Sequence, residues 1–268
     1  APLAAGAHLL EPVMHRAEQE PTRPVAAYRE GDAFVDVTAQ EFYGRIRALA
    51  KGLIASGVAP GDRVALMSHT RLEWLLVDYA ILAAGAVTVP IYETSSAEQV
   101  QWILGDSGAV LAVVETPALR SIYDEVHAHA SACREVLVID EAGVDELAAR
   151  GRDVDDATLD ERIAGITADS LATIVYTSGT TGRPKGCMQT QRNLCTNVAQ
   201  NLDAIRSMLG DDEVTLLFLP LAHTLTKIIA LVCVEWGTKV AFATDLAHFP
   251  EELALARPTL LVAVPRVF

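Results

Sequence analysis

The stretch RVALMSHTRLEWLLVDYAILAAGAVTV, Arg63 to Val89, reads as strand, helix, strand. Val64 to Met67 is a short apolar run. Arg71 to Ala84 continues as a largely apolar helix carrying Glu73 and Asp78, Gly85 ends it, and Ala86 to Val89 is apolar again. A helix between two such runs implies a parallel strand pair, because a parallel neighbour needs a crossover long enough to hold one.

The alternation extends on both sides. Downstream, Ser95 with Glu98 has the spacing of a capping box, Val110 to Val114 is a strand, Pro117 stands at a helix start, and Val136 to Ile139 is the next strand. Glu141 to Asp169 is acidic and lacks strand character, which predicts a peripheral helix and a solvated connection. Its carboxylates lack the spacing and turn glycine of a calcium loop. Beyond it Leu171 to Tyr176, Val214 to Phe218, Lys239 to Phe242 and Leu260 to Val264 read as strands. Thr190 to Leu209 and Leu225 to Trp236 read as helices, the second closed by Gly237. Upstream, Val25 to Val37 predicts a hairpin turning at Glu30-Gly31-Asp32; Thr38 with Glu41 caps a helix ending near Ser56, and Gly57 takes the left-handed position after it. The expected fold class is α/β, with two subdomains of mostly parallel sheet flanked by helices. They occupy residues 1–150 and 171–268, joined by the acidic connection at 151–170.

With 51% hydrophobic and 21% charged residues in 268, the chain has the composition of a globular protein with a sizeable core. A formal net charge of -14 argues against nucleic acid as a partner, since phosphate-backbone affinity needs clustered Lys and Arg. Cys133, Cys187, Cys195 and Cys233 form no paired spacing with one another or with histidine, so reduced thiols and a cytoplasmic location are expected. Residues 1–15 have no basic segment ahead of their apolar start and do not read as a signal peptide. Leu72 to Tyr92 and Val214 to Trp236 are apolar, yet each carries charges and a proline, and both read as buried helix-and-strand pairs rather than membrane spans.

The chemistry concentrates in Tyr176-Thr177-Ser178-Gly179-Thr180-Thr181-Gly182-Arg183-Pro184-Lys185-Gly186, directly after an expected strand. Three glycines allow close backbone approach, while four hydroxyls and the loop's N–H groups can donate to phosphate oxygens. Lys185 adds a positive charge. The pattern is not a Walker A loop, because Pro184 precedes the lysine and Gly186 follows it, and it lacks the G-x-G-x-x-G spacing of dinucleotide sites.

This segment resembles the signature loop of the adenylate-forming family, which includes acyl-CoA synthetases, peptide-synthetase adenylation domains and beetle luciferases. Leu219-Pro220-Leu221-Ala222-His223 is similar to the family's second substrate-side motif. Val264-Pro265-Arg266-Val267-Phe268 and Tyr92-Glu93-Thr94-Ser95-Ser96-Ala97-Glu98-Gln99 resemble segments of bacterial long-chain acyl-CoA ligases. The resemblance implies an incomplete large N-terminal domain and a two-step reaction. A fatty-acid carboxylate attacks ATP to give acyl-AMP and pyrophosphate, and coenzyme A then displaces AMP. It implies that Thr177, Ser178, Gly179, Thr181, Gly182 and Lys185 contact the β- and γ-phosphates and that Thr180 binds Mg2+. His223 is the implied catalytic residue that places the carboxylate, with Thr224 and Lys227 beside it; Lys227 also reads as a solvated or pocket-rim charge. Gln191, where many relatives carry His, and Cys187 depart from the commonest pattern.

The family's adenine and ribose contacts, acidic metal ligand and catalytic lysine fall beyond Phe268, so the reading expects an incomplete chain that does not turn over alone. Its alternatives are an adenylating enzyme that loads a carrier protein and a non-catalytic nucleotide-binding module. Peripheral membrane contact and a homodimer are further expectations of the resemblance.

Overall fold

The computed structural model describes residues 6–130, 132–177, 183–245 and 247–263. The chain begins with α1 (Glu11–Gln19), the hairpin β1 (Pro24–Glu30) and β2 (Ala33–Thr38), and α2 (Ala39–Ala55). It alternates through β3 (Arg63–Met67), α3 (Leu72–Ala83), β4 (Val87–Ile91), α4 (Ala97–Ser107), β5 (Leu111–Val114), α5 (Pro117–Val126) and β6 (Val136–Val138). Then come α6 (Gly143–Arg150), α7 (Asp156–Ala164), β7 (Leu171–Thr177), β8 (Lys185–Thr190), α8 (Gln191–Ile205), β9 (Val214–Leu217), α9 (Thr224–Trp236), β10 (Lys239–Phe242) and α10 (Phe249–Ala256).

These elements form two units. The first takes in the described residues up to His8, 45–69 and 73–193; the second takes in 9–44, 70–72 and 194 onward.

The first unit holds a six-stranded sheet in the order β6-β5-β3-β4-β7-β8, parallel throughout except for the antiparallel β7–β8 edge. Strands β4 and β5 are buried along their whole length and β3 from its second residue on, as a parallel sheet covered on both faces requires. Helix α3 is largely apolar apart from Glu73 and Asp78, and Trp74, Val77 and Ile81 on it are fully buried. Its 12 residues extend roughly 18 Å at the α-helical rise. Among the described residues no helix is long and apolar enough to cross a membrane.

The second unit holds a four-stranded sheet in the order β2-β1-β10-β9. β1 and β2 pair antiparallel around Gly31, whose φ of 60° suits a residue without Cβ, and the other neighbours are parallel. Ala27, Leu216 and Ala241 form one face of its core, with Phe34, Phe218, Phe249 and Leu253 packed against them. The Phe218 and Phe249 rings meet tilted, 4.5 Å between centroids.

The cap at Thr38 is as the sequence predicts: Glu41 accepts from the Thr38 N–H at 2.9 Å and Thr38 Oγ1 accepts from the Glu41 N–H. The second capping box lies one residue later than the Ser95–Glu98 spacing suggests. Ser96 and Gln99 exchange the two hydrogen bonds, because Ser96 is the residue with extended backbone at the start of α4. The acidic stretch holds two helices rather than one; Asp155 caps α7 by accepting from Thr158, and Asp156 and Asp160 ion-pair with Arg47 at 2.7 Å. Lys185–Thr190 is a strand the sequence did not signal, its β-structure supplied by pairing with β7. The following helix therefore starts at Gln191 and ends at Ile205, where a short 3-10 turn takes over, instead of running from Thr190 to Leu209. Leu260 makes a single parallel bridge to Thr215 where a strand to Val264 is expected; Val264 lies outside the described residues. The units also do not follow a division at 151–170. Residues 171–193 cluster with what precedes them because β7 pairs with β4, and β1 and β2 cluster with later residues because β1 pairs with β10.

Candidate functional site

In the first unit, β7 ends at Thr177 and β8 begins at Lys185, and these two residues are register partners. The connection between them leaves the sheet at the carboxyl end of β7, the edge at which open α/β sheets take ligands. Thr177 and Lys185 are exposed there; Ser178, Gly179, Thr180, Thr181 and Gly182 lie outside the described residues.

Both ends of the connection touch α4. Tyr176, the last buried residue of β7, donates its hydroxyl to Asp106 Oδ2 at 2.6 Å. Burial first, and then that bond, hold the Tyr176 phenol well above its ordinary pKa. Trp102 Nε1 donates to the carbonyl of Pro184 at 2.7 Å, and the Arg183 guanidinium lies over the same indole, 4.7 Å from the ring centroid. Opposite Tyr176 in the ladder stands Gly186. A Cβ there would lie 2.8 Å from Ile174 Cγ2 and 3.1 Å from Tyr176 Cζ, so the ring sits where only glycine leaves room.

The carboxyl ends of β3, β4 and β5 contribute a polar group that the sequence reading missed. Glu115 Oε2 accepts from the His69 N–H at 2.7 Å, lies 2.8 Å from His69 Nδ1, and takes the Ser68 hydroxyl at 3.3 Å. Glu93 Oε1 is 3.8 Å from His69 Nε2. Strand ends bring these residues together from separate points in the chain, and apart from Glu93, which stands in the Tyr92 to Gln99 segment, no local motif announces them.

In the second unit, His223 is the N-cap of α9. Its Nδ1 accepts from the Leu225 N–H at 3.1 Å, which places the neutral ring's proton on Nε2. His223 is exposed and Thr224 half-buried, while Lys227, one turn on, is 3% exposed, a buried side chain and not the solvated charge that was one expectation. Its N–H donates to the His223 carbonyl, so the three residues share the first turn of α9. The approach to His223 is held by Thr70, whose hydroxyl donates to the Leu219 carbonyl at 2.6 Å and accepts from the Leu221 N–H at 2.9 Å. Separated from its partners by about 150 positions, Thr70 gave no signal in the sequence.

Among the described residues no group of His, Cys, Asp and Glu could hold a metal ion. By residue type the loop offers hydroxyl oxygens, which would suit a hard cation bound chiefly through phosphate and water. The cysteines are free. Burial pushes Cys195 up to about 11 and Cys233 up to about 12, so both stay protonated at neutral pH.

A chain with this fold and loop is an adenylate-forming type of protein, and comparison with known proteins bears the resemblance out. The chain belongs to the AMP-binding enzyme family, which it matches over residues 13–268. It is 46% identical over 238 residues to the long-chain-fatty-acid–CoA ligase FadD15 of Mycobacterium bovis, and equally to that of Mycobacterium tuberculosis. The match covers 88% of this chain and 40% of each relative, so the chain spans about two fifths of their length. The inhibitor-bound N-terminal domain of FACL13 from Mycobacterium tuberculosis superposes with a TM-score of 0.84 at 26% identity, covering 97% of this chain and 64% of that one. The long-chain-fatty-acid–CoA ligase FadD1 of Archaeoglobus fulgidus shares the fold, with a TM-score of 0.84 at 22% identity over 99% of this chain and 53% of that one.

Proposed function

We propose that the protein activates a long-chain fatty acid with ATP and passes the acyl group to coenzyme A. The observation that carries this reading is the hydroxyl-rich connection between Thr177 and Lys185 at the carboxyl edge of a sheet, in a chain 46% identical to FadD15. In the first step a carboxylate oxygen attacks the α-phosphorus of ATP, the bond to the bridging oxygen breaks, and pyrophosphate leaves. In the second, the thiol sulfur of coenzyme A attacks the acyl carbonyl and AMP departs.

The chain's own residues serve the first step. Hydroxyls and N–H groups of Thr177, Ser178, Gly179, Thr181 and Gly182, with the ammonium of Lys185, hold the β- and γ-phosphates and spread the charge that builds on the leaving group. Magnesium, when bound with the nucleotide, supplies further neutralisation of that charge, and Thr180 is its protein donor. His223 keeps Nε2–H free to orient the carboxylate because Nδ1 is engaged at the helix start. Thr224 and Lys227 complete that turn.

The experiment is calorimetric titration of the full-length protein and its Lys185→Ala variant with ATP and magnesium, followed by product analysis with palmitate. Weakened nucleotide binding in the variant and formation of palmitoyl-CoA are expected. A variant that binds ATP like the parent refutes the loop assignment, acyl transfer to a carrier protein alone replaces the acceptor, and a preference for short acids refutes the chain length. The protein is read as cytoplasmic, meeting a membrane surface only while it collects an amphiphilic acid, and as a homodimer; cell fractionation and size-exclusion chromatography check these two points.

A further inference from the structure

We infer that α4 is a brace for the phosphate loop, with Trp102 and Asp106 as positioning residues that fix its two ends. This rests on the nucleotide-binding reading of the loop and adds to it a device that the reading does not require.

Trp102 and Asp106 are four residues apart and lie on one face of α4. Asp106 holds the entry end through the Tyr176 hydroxyl at 2.6 Å, and Trp102 holds the exit end through the Pro184 carbonyl at 2.7 Å. Arg183 stacks on the same indole, so a charge beside Lys185 is held back on the ring. The helix presenting them is itself fixed at both ends, by the Ser96–Gln99 box and by Gly108 in the left-handed conformation at φ 61°. Val100, Ile103 and Leu104 of the same helix are buried in the core, and Trp102 packs against that cluster. The segment Tyr92 to Gln99 thereby acquires a physical role, since it starts the helix whose next two turns carry the brace. A loop whose exit is already held loses less conformational freedom when a polyanion settles in it, and the gain appears as nucleotide affinity.

The test compares full-length wild type, Trp102→Phe, Trp102→Leu and Lys185→Ala by ATP-dependent pyrophosphate release with palmitate and by tryptophan emission during MgATP titration. Trp102→Leu is expected to raise KM for ATP about fivefold, the scale of one neutral hydrogen bond and one partly exposed cation–π contact. Its KM for palmitate should not move, because the indole's hydrogen bond and its stack with Arg183 bear on the loop that holds the nucleotide and not on the acid. Trp102→Phe keeps a ring under Arg183 and should show a smaller rise. The emission difference between wild type and Trp102→Phe isolates this indole and should change with MgATP.

An intact Trp102→Leu fold with unchanged KM for ATP overturns the brace. If that variant does not fold, unchanged KM in Trp102→Phe together with an ATP-insensitive difference emission overturns it instead. The two readings fail separately. Normal ATP binding by Lys185→Ala removes the loop assignment, whereas impaired Lys185→Ala beside unaffected Trp102 variants removes the brace alone.

Discussion

The hydroxyl of Thr70 donates to the carbonyl of Leu219 at 2.6 Å, and the same oxygen accepts from the N–H two residues on, so one side chain spans Pro220. Proline offers no N–H of its own, and the peptide groups on either side of it depend on an outside partner here. Thr70→Val keeps the shape and removes both bonds. It is expected to destabilise the protein by about 1–3 kcal/mol in urea unfolding, the cost of leaving two polar groups without a partner. Thr70→Ser should restore most of that; a valine variant as stable as the parent would show the bonds to be incidental.

Gly186→Ala tests the close approach of the Tyr176 ring. The added methyl meets Ile174 and Tyr176, and relieving the overlap means moving the phenol that Asp106 accepts from. A loss of about 1–3 kcal/mol is expected, as for other overpacked sites. In a double-mutant cycle, Gly186→Ala should cost less on a Tyr176→Leu background, because the obstructing ring is gone. Strict additivity of the two changes would count against the clash.

Glu252 is fully buried on α10, where its carboxylate takes the Thr244 N–H twice at 3.1 Å and the Thr244 hydroxyl at 2.6 Å, with Arg29 at 3.5 Å. Glu252→Ala strips the Thr244 N–H and hydroxyl of their acceptor, empties the buried site of the carboxylate and leaves Arg29 without this partner. About 3 kcal/mol of destabilisation is expected from breaking a buried charged network, read as a lower urea midpoint. A variant within about 0.5 kcal/mol of the parent, the range of ordinary surface changes, would contradict the role given to this carboxylate.

Arg150 holds Glu135 through two hydrogen bonds, at 2.6 and 2.8 Å. Those bonds, ahead of any opposing desolvation, keep the Glu135 carboxyl below its ordinary value. A carboxyl that is more acidic folded than unfolded stabilises the fold at pH above its unfolded value, about 4.3, and that contribution is lost as pH falls through the lower folded value. Arg150→Gln should therefore lower the melting temperature at pH 7 and flatten its fall on acidification below about pH 4.3. Parallel curves for the two proteins would show that the pair is not linked to protonation.

The alternation from Arg63 to Val114 was legible because buried parallel strands and a largely apolar helix leave long apolar runs separated by turn residues. Gly57, Gly85 and Gly237, at φ 78°, 75° and 90°, likewise announced the ends of helices. Lys185–Thr190 was not legible: Lys-Gly-Cys-Met-Gln-Thr has little intrinsic strand preference, and its conformation comes from the partner strand. Of the site, the loop could be read because its donors are contiguous. Thr70, Trp102, Asp106 and the His69–Glu115 contact could not, since each acts on residues dozens of positions away and carries no composition of its own.

The pairing of Thr177 with Lys185 has a consequence for how this region tolerates change in length. An extra residue between positions 178 and 184 lengthens a bridge whose abutments remain where they are, so its span can be retuned without disturbing the sheet. One inserted between Lys185 and Thr190 instead turns every later side chain of that strand to the opposite face. As far as the sheet sets the limit, length can change ahead of Lys185 and not within the strand that follows it.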